Sequence, residues 1–154
     1  MDMFDEVLKQ LSELMHVSPP LHSDEKSSCL IEMPGKIPIY LEMDRQQQHL
    51  VIGCNLGELP AGPYRNNLLK EALKANATLP RHTGTLAYST KNNNLVVFDR
   101  LDLEEVSGQA VFNTLQKILP KAHQWRDAIR RGEVPQIITA APPPSTSTMF
   151  GIKR

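Results

Sequence analysis

The residues that could carry chemistry in this chain are five histidines, two cysteines and a few acidic pairs, and their spacing matches none of the common sites. The histidines are scattered, with no H-x-x-x-H or H-E-x-x-H spacing that would place two imidazoles on one helix face for a metal. The chain has no glycine-rich phosphate loop followed by Lys-Ser/Thr, and no G-x-S-x-G nucleophile elbow. The sequence therefore predicts no metal site and no cofactor.

A thiol nucleophile is the one catalytic arrangement that the side chains allow, with Cys54 as nucleophile and His49 or His82 as its base. Cys54 and Cys29 both lie in apolar runs, where a thiolate is poorly stabilised. We therefore expect two buried, reduced thiols, and an enzyme of unknown type is the less favoured alternative. Adjacent acids at 104–105 are interpreted as the first turn of a helix, which its dipole favours, rather than as a catalytic pair.

Composition and charge narrow the class of protein further. The 154 residues indicate one domain, and 17 basic against 17 acidic side chains remove the basic surplus typical of nucleic-acid binding. Residues 1–60 have a net charge of −6 and residues 61–154 compensate with +6, so the first part could attract a basic partner segment or be ordinary solvated surface. No apolar run is long enough to span a membrane, and the acidic first ten residues are not typical of a secretory signal.

Hydrophobic periodicity predicts the elements that must position any site. Apolar residues at three- and four-residue spacing predict a first helix, which Asp2 can cap, and alternation predicts three strands in an antiparallel meander. A break at 55–62 precedes a second helix that begins at Pro63 and stops at Asn76, and an Asn-rich turn joins two further strands. Pro120 is expected to kink or split the last helix. The predicted elements are helix 3–16, strands 28–33, 37–43 and 49–54, helix 63–75, strands 84–89 and 94–100, and helix 104–131.

This order predicts an α+β fold, in which three helices pack on an antiparallel five-stranded twisted sheet in the order α-β-β-β-α-β-β-α. The domain is expected to cover residues 1–132. Residues 133–154 contain Pro142-Pro143-Pro144 and a Ser/Thr run, a composition that cannot build a core and is typical of a disordered tail.

Several local motifs follow one another along the chain: IGCNLGELP at 52–60, LLKEALKAN at 68–76, the strands GTLAYS and LVVFDRLDL, and AHQWRDAI at 122–129. In this order they resemble the class I type III secretion chaperones of the Tir-chaperone family. The first is similar to the end of that family's third strand, the second to its second helix, and the last carries the family's late Ala and Trp. The resemblance covers about residues 3–131. The chain departs from the family in its neutral net charge and its longer, Pro-rich tail.

The resemblance implies a non-enzymatic homodimer in the bacterial cytoplasm that binds the N-terminal region of one or more secreted effectors in extended form. Its candidate effector-binding residues are Phe4, Val7, Leu11, Ile31, Met33, Ile39 and Leu41, with plain core packing as the alternative. Its candidate dimer residues are Leu68, Leu69, Leu73, Leu86 and Tyr88. The alternative is a subunit that pairs with a related chaperone, or another protein-binding module without catalytic activity.

The end of the tail carries three apolar residues, Met149, Phe150 and Ile152. They are candidates for docking on a partner such as the secretion ATPase or a second chaperone. The alternative is a tail without a role.

Overall fold

The computed structural model describes residues 3–25, 27–33, 35–44, 46, 48–78 and 84–137. Asp2 and most of the predicted tail lie outside these residues. Within them the predicted α+β fold and its element order are confirmed. The elements are α1 Met3–Met15, β1 Ser28–Ile31, β2 Ile39–Asp44, β3 His49–Glu58, α2 Pro63–Ala77, β4 Thr85–Ser89, β5 Asn94–Asp102, a turn of 3-10 helix at Leu103–Glu105, and α3 Gly108–Arg131.

All strand pairs are antiparallel, and the sheet order is β1-β2-β3-β5-β4. The meander β1-β2-β3 and the hairpin β4-β5 therefore join where β3 pairs with β5. Asn93 in the hairpin turn has a φ of 61°, the left-handed conformation that the Asn-rich turn was expected to need. The two outermost strands are β1 and β4.

One face of the sheet is covered by helices and holds the core. α3 lies against β3 and β5, α1 packs on α3, and α2 packs beside β4. Alternate strand residues face these helices, and Trp125 of α3 is almost fully buried among them. No helix within the described ranges combines the length and the apolar character needed to cross a bilayer.

The predicted break at 55–62 is wrong at its start, because β3 continues to Glu58. A bulge between Asn55 and Gly57 absorbs one extra residue, and β3 then resumes its pairing with β5. Gly57 adopts a φ of 124°, and its N–H donates to Asn55 Oδ1 at 3.1 Å. The polar residue and the glycine that suggested a strand end therefore build the bulge.

Two predicted helix boundaries are also corrected. α2 does not stop at Asn76 but runs to Ala77, and the Asn76 side chain bonds to β4 instead. α3 is not split at Pro120, although proline cannot donate to the carbonyl one turn earlier. Both Pro120 and Gln116 are exposed, so solvent can reach that carbonyl. α3 begins at Gly108, where Ser107 Oγ accepts the Ala110 N–H at 3.0 Å.

Residues 133–137 follow α3 and lie on the helices. Val134 and Ile137 are partly buried against the core, so the chain does not leave the body of the protein at Gly132. Disorder of the remaining tail, residues 138–154, stays a prediction.

Candidate functional site

The predicted effector-binding residues come together in the structure, but on the inside of the protomer. Six of them have at most 3% of their surface exposed, and only Met33 is half-buried. They belong to the buried cluster that α1, β1 and β2 share with the rest of the core. In this protomer they are therefore core, and any partner-binding surface nearby must come from their exposed neighbours. The six buried residues are Phe4, Val7, Leu11, Ile31, Ile39 and Leu41.

The predicted dimer residues lie together on α2 and β4, with very different exposure. Leu68 and Leu86 are buried, and Leu69 and Tyr88 are half-buried. Leu73 is the most exposed of them, with 70% of its surface accessible. The outer face of α2 therefore offers one large apolar side chain that no described residue covers.

At Leu86 the β4 edge of the sheet is closed by a side chain. Asn76 of α2 donates from Nδ2 to the Leu86 carbonyl at 2.8 Å and accepts the Leu86 N–H on Oδ1 at 2.9 Å. One amide side chain thereby makes both bonds that a neighbouring strand would make at this residue. A further strand cannot pair with Leu86 unless it displaces Asn76.

The β1 edge is closed at Ser28 and open at Leu30. The Ser28 N–H donates to Asp24 Oδ1 at 2.9 Å, and the Ser28 carbonyl accepts the Asp24 N–H at 2.8 Å. Ser27 bonds inward to Met43, so the alternation of an antiparallel ladder turns Ser28 and Leu30 outward. Among the described residues the Leu30 N–H and carbonyl have no hydrogen-bond partner, and 59% of the Leu30 surface is exposed. An extended peptide can therefore pair with this residue.

A cleft of about 430 Å³ lies beside this edge, between β1 and the loop that follows α1. Ser12 fixes the loop, because its buried Oγ donates to the Leu8 carbonyl and accepts the Leu21 N–H, each at 2.7 Å. Cys29 lines the cleft, and burial, followed by the nearby Asp24 charge, raises the pKa of its thiol. The cleft lining comprises residues 19–24 and 28–30.

The open face of the sheet adds apolar surface behind the edge. Strand register places Leu30, Tyr40, Gly53 and Phe98 in one row across β1, β2, β3 and β5. The Tyr40 ring lies over Gly53, where a Cβ atom would collide with it. Burial is the main cause that raises the pKa of the Tyr40 hydroxyl. This row, which we call the aromatic row, leads from the open edge toward the middle of the sheet.

The considered thiol site of Cys54 with His49 does not form. Burial raises the pKa of Cys54 to about 11, so its thiol is protonated at neutral pH. His49 is five residues away on the same strand and therefore points to the opposite face, where its Nδ1 lies 3.2 Å from Asp102. His82 lies outside the described residues. No group of three metal-binding side chains occurs in the described part of the chain.

Comparison with known proteins identifies the family to which the chain belongs. The model of the Tir chaperone protein (CesT) family matches residues 6–126, which is most of the chain and includes every strand and the larger part of α3. The chain belongs to the Tir chaperone protein family. No curated protein sequence matches it.

Solved structures share the Tir chaperone fold at low identity. The HopA1–SchA chaperone–effector complex contains a chain 20% identical, with a TM-score of 0.62, and the match covers 83% of this chain and 99% of that one. The structure of the Yersinia pestis type III secretion chaperone SycH with a fragment of YscM2 contains a chain that is 14% identical, with a TM-score of 0.62. The match covers 80% of this chain and 99% of that one. The ExoT–SpcS complex from Pseudomonas aeruginosa contains a chain that is 15% identical, with a TM-score of 0.57, and the match covers 80% of this chain and 98% of that one.

Sequence reasoning about this Tir chaperone family member missed Leu30, Tyr40 and Asn76. Leu30 and Tyr40 lie on the strand faces opposite those chosen as binding candidates. The signal was present, because a strand whose two faces both carry apolar residues is buried on both sides or meets a partner. No sequence signal would have paired Asn76 with Leu86.

Proposed function

We propose that this protein is a type III secretion chaperone that holds an extended segment of a secreted effector at the β1 edge. The observation that carries the proposal is the open edge at Leu30, which lies beside a fixed cleft in a member of the Tir chaperone family. The effector strand would exchange backbone hydrogen bonds with Leu30 and place alternate side chains in the cleft and on the aromatic row. Two of the similar solved structures hold a chaperone with a bound effector or a protein fragment, which supports this reading.

The energetics require a long guest segment. Fixing one residue costs about 1–2 kcal/mol, whereas apolar burial returns about 25 cal/mol per Å², so each fixed residue must bury roughly 40–80 Å² to break even. A cleft of about 430 Å³ accommodates only a few side chains. The aromatic row and a longer strand pairing supply the remainder, so the effector stays extended.

The charge near the edge selects among guests. Asp24, Glu32 and Glu42 lie on or near β1 and β2, and all three are exposed. A guest that carries Lys or Arg beside its apolar residues would be attracted over about a Debye length, ~10 Å. This local acidity explains how a chain of zero net charge can still favour a basic segment.

We also propose a homodimer that forms through the outer face of α2, with Leu73 at its centre. Leu73 is exposed next to half-buried Leu69, and an isologous contact would bury both in two copies at once. Sedimentation of the wild-type chain and a Leu73→Asp variant tests this assembly. The variant should be monomeric and folded, and a dimer that survives the substitution would contradict the interface.

A two-stage experiment tests the chaperone function. The tagged chain is purified from its native cell, the co-purifying protein is identified, and peptides that tile its N-terminal region are synthesised. Hydrogen exchange of the chaperone with the tightest peptide should slow at Leu30 and leave Leu86 unchanged, because Leu86 is already bonded to Asn76. Protection confined to other elements would exclude strand addition at β1, and the absence of any binding peptide would exclude the function.

A further inference from the structure

Asp24 makes both of the hydrogen bonds that a neighbouring strand would make with Ser28 on the outer edge of β1. Its N–H donates to the Ser28 carbonyl at 2.8 Å, and its Oδ1 accepts the Ser28 N–H at 2.9 Å. Two facing residues of an antiparallel ladder exchange such a pair of bonds, with a main-chain carbonyl where the carboxylate stands here. Asp24 therefore imitates one residue of a further strand.

The loop that carries Asp24 is bonded on both sides of this residue. Before it, Ser23 Oγ donates to Asp5 Oδ1 of α1 at 3.0 Å. After it, the Ser27 N–H donates to the Asp24 carbonyl at 3.2 Å. The bonds between Asp24 and Ser28 thus belong to the folded protomer and are in place before a guest arrives.

The part of the edge that stays open begins directly beyond Ser28. The alternation of the ladder turns Ser28 and Leu30 outward, and in the described part of the chain only Leu30 of these two lacks hydrogen-bond partners. β1 ends at Ile31. Pairing that includes Leu30 can therefore extend only past Ile31, away from Asp24.

We propose that Asp24 is the register stop of the guest site, an inference that rests on the proposed strand addition at β1. Because Asp24 already holds Ser28, the guest strand ends its pairing at Leu30. The cleft of about 430 Å³ lies on this side, between β1 and the loop of Asp24. The next guest residue therefore turns into the cleft instead of continuing along Ser28.

A register stop selects guests by the spacing of their side chains. A strand that slides by two residues along an edge keeps its side chains on the same faces, so alternation alone does not fix its register. The stop leaves one register, in which an apolar guest residue enters the cleft directly beside the residue paired with Leu30. Asp24 also lines the cleft, and its charge disfavours an acidic residue at that guest position.

Amide hydrogen exchange in the full chain, resolved by residue with NMR, tests the stop. The guest probe is the tightest-binding peptide from the N-terminal region of the co-purifying effector. In the wild type this peptide should slow exchange at Leu30 about ten-fold or more and change neither Ser28 nor Asp24. In Asp24→Ala the free Ser28 N–H should exchange about ten-fold faster than in the wild type, and the peptide should slow it again because pairing now reaches Ser28.

Two control variants separate the hydrogen bond from the charge. Asp24→Asn keeps an acceptor oxygen without the charge, and Glu25→Ala removes an exposed acid that bonds to no described residue of β1. Both should keep the slow Ser28 exchange of the wild type, with and without the peptide. Unchanged protection of Leu86, which is bonded to Asn76, shows that each variant is folded.

Two results would overturn the stop. Faster exchange of the Asp24 N–H when the wild type binds the peptide would show that the guest displaces Asp24, and this measurement needs no variant. Protection of Leu30 without protection of Ser28 in peptide-bound Asp24→Ala would show that Asp24 does not end the pairing. Failure of the proposed function differs from both, because a bound peptide would then leave Leu30 unprotected in every chain, which contradicts strand addition at β1 and the stop with it.

Discussion

Replacing Leu30 by alanine should weaken effector binding and leave the protomer nearly as stable as before. In the free protomer 59% of the Leu30 surface is exposed, and burying a whole leucine side chain is worth about 1.5–3 kcal/mol. A guest strand that covers the exposed part therefore gains about 1–2 kcal/mol from this residue. Its loss should raise the Kd of the guest about five- to thirtyfold.

The matched control is Leu73→Ala, which removes an exposed leucine of similar accessibility from α2. It should weaken self-association and leave the guest Kd unchanged, because Leu73 lies beside the opposite sheet edge. A second control, Leu41→Ala, removes a fully buried neighbour of the guest site and should cost about 2–5 kcal/mol of unfolding free energy. Leu30→Ala should cost under about 1 kcal/mol, since less than half of its side chain is covered.

Titration of a labelled effector peptide, together with urea unfolding of each variant, measures both quantities. The reasoning fails if Leu30→Ala binds the peptide as the wild type does. It also fails if Leu30→Ala loses as much stability as Leu41→Ala, because Leu30 would then be part of the core.

Further predictions concern the contacts that frame these surfaces. Asn76→Ala should lower the unfolding free energy by about 1–3 kcal/mol, because the Leu86 N–H and carbonyl lose their hydrogen-bond partner. Asn66→Ala, at an exposed position, should change it by only a few tenths of a kcal/mol. The Ile137 N–H, followed by Lys74, lowers the pKa of Glu71, so its contribution to stability is complete above its ordinary pKa of 4.5 and is lost as the pH falls through the lowered value. Glu71→Gln should remove that part of the pH dependence in acid unfolding curves. Cys54, with a pKa of about 11, should resist alkylation at pH 8 until urea unfolds the chain, and rapid labelling without urea would contradict its burial.

Local pattern was sufficient to predict the fold because each element carries its own signal. The apolar stripe of α1 and the alternation in β2 are periodic over their whole length. The errors arose where a residue type has two uses. Asn55 and Gly57 are typical of a strand end and equally of a bulge, and only pairing with β5 decides between them.

The site was harder to predict because the alternation of apolar residues shows which residues share a strand face, but not which face is exposed. Leu41 and Tyr40 both belong to an apolar pattern on β2, but only a packed helix decides which face becomes core. The candidates were taken from the stronger face, which is the face that α1 and α3 cover. The loop beside the free edge at Leu30 is held by side-chain hydrogen bonds of Ser12 and Asp24, which an apolar pattern does not report.

The two proposed contact surfaces lie at opposite ends of the sheet. Asn76 occupies the β4 edge at Leu86, whereas the proposed strand addition lies at β1 and the proposed helix contact uses the exposed Leu73 on α2 beside β4. Four strand spacings separate β1 from β4, about 19 Å at ~4.8 Å each. A guest strand at one end therefore does not obstruct a second protomer at the other. A dimer built on α2 would accordingly present two open β1 edges, one on each outer side, and a single long guest segment could engage both only by passing around the pair. This geometry requires the guest to remain extended between the two edges, which is the state that a chaperone for secretion has to maintain.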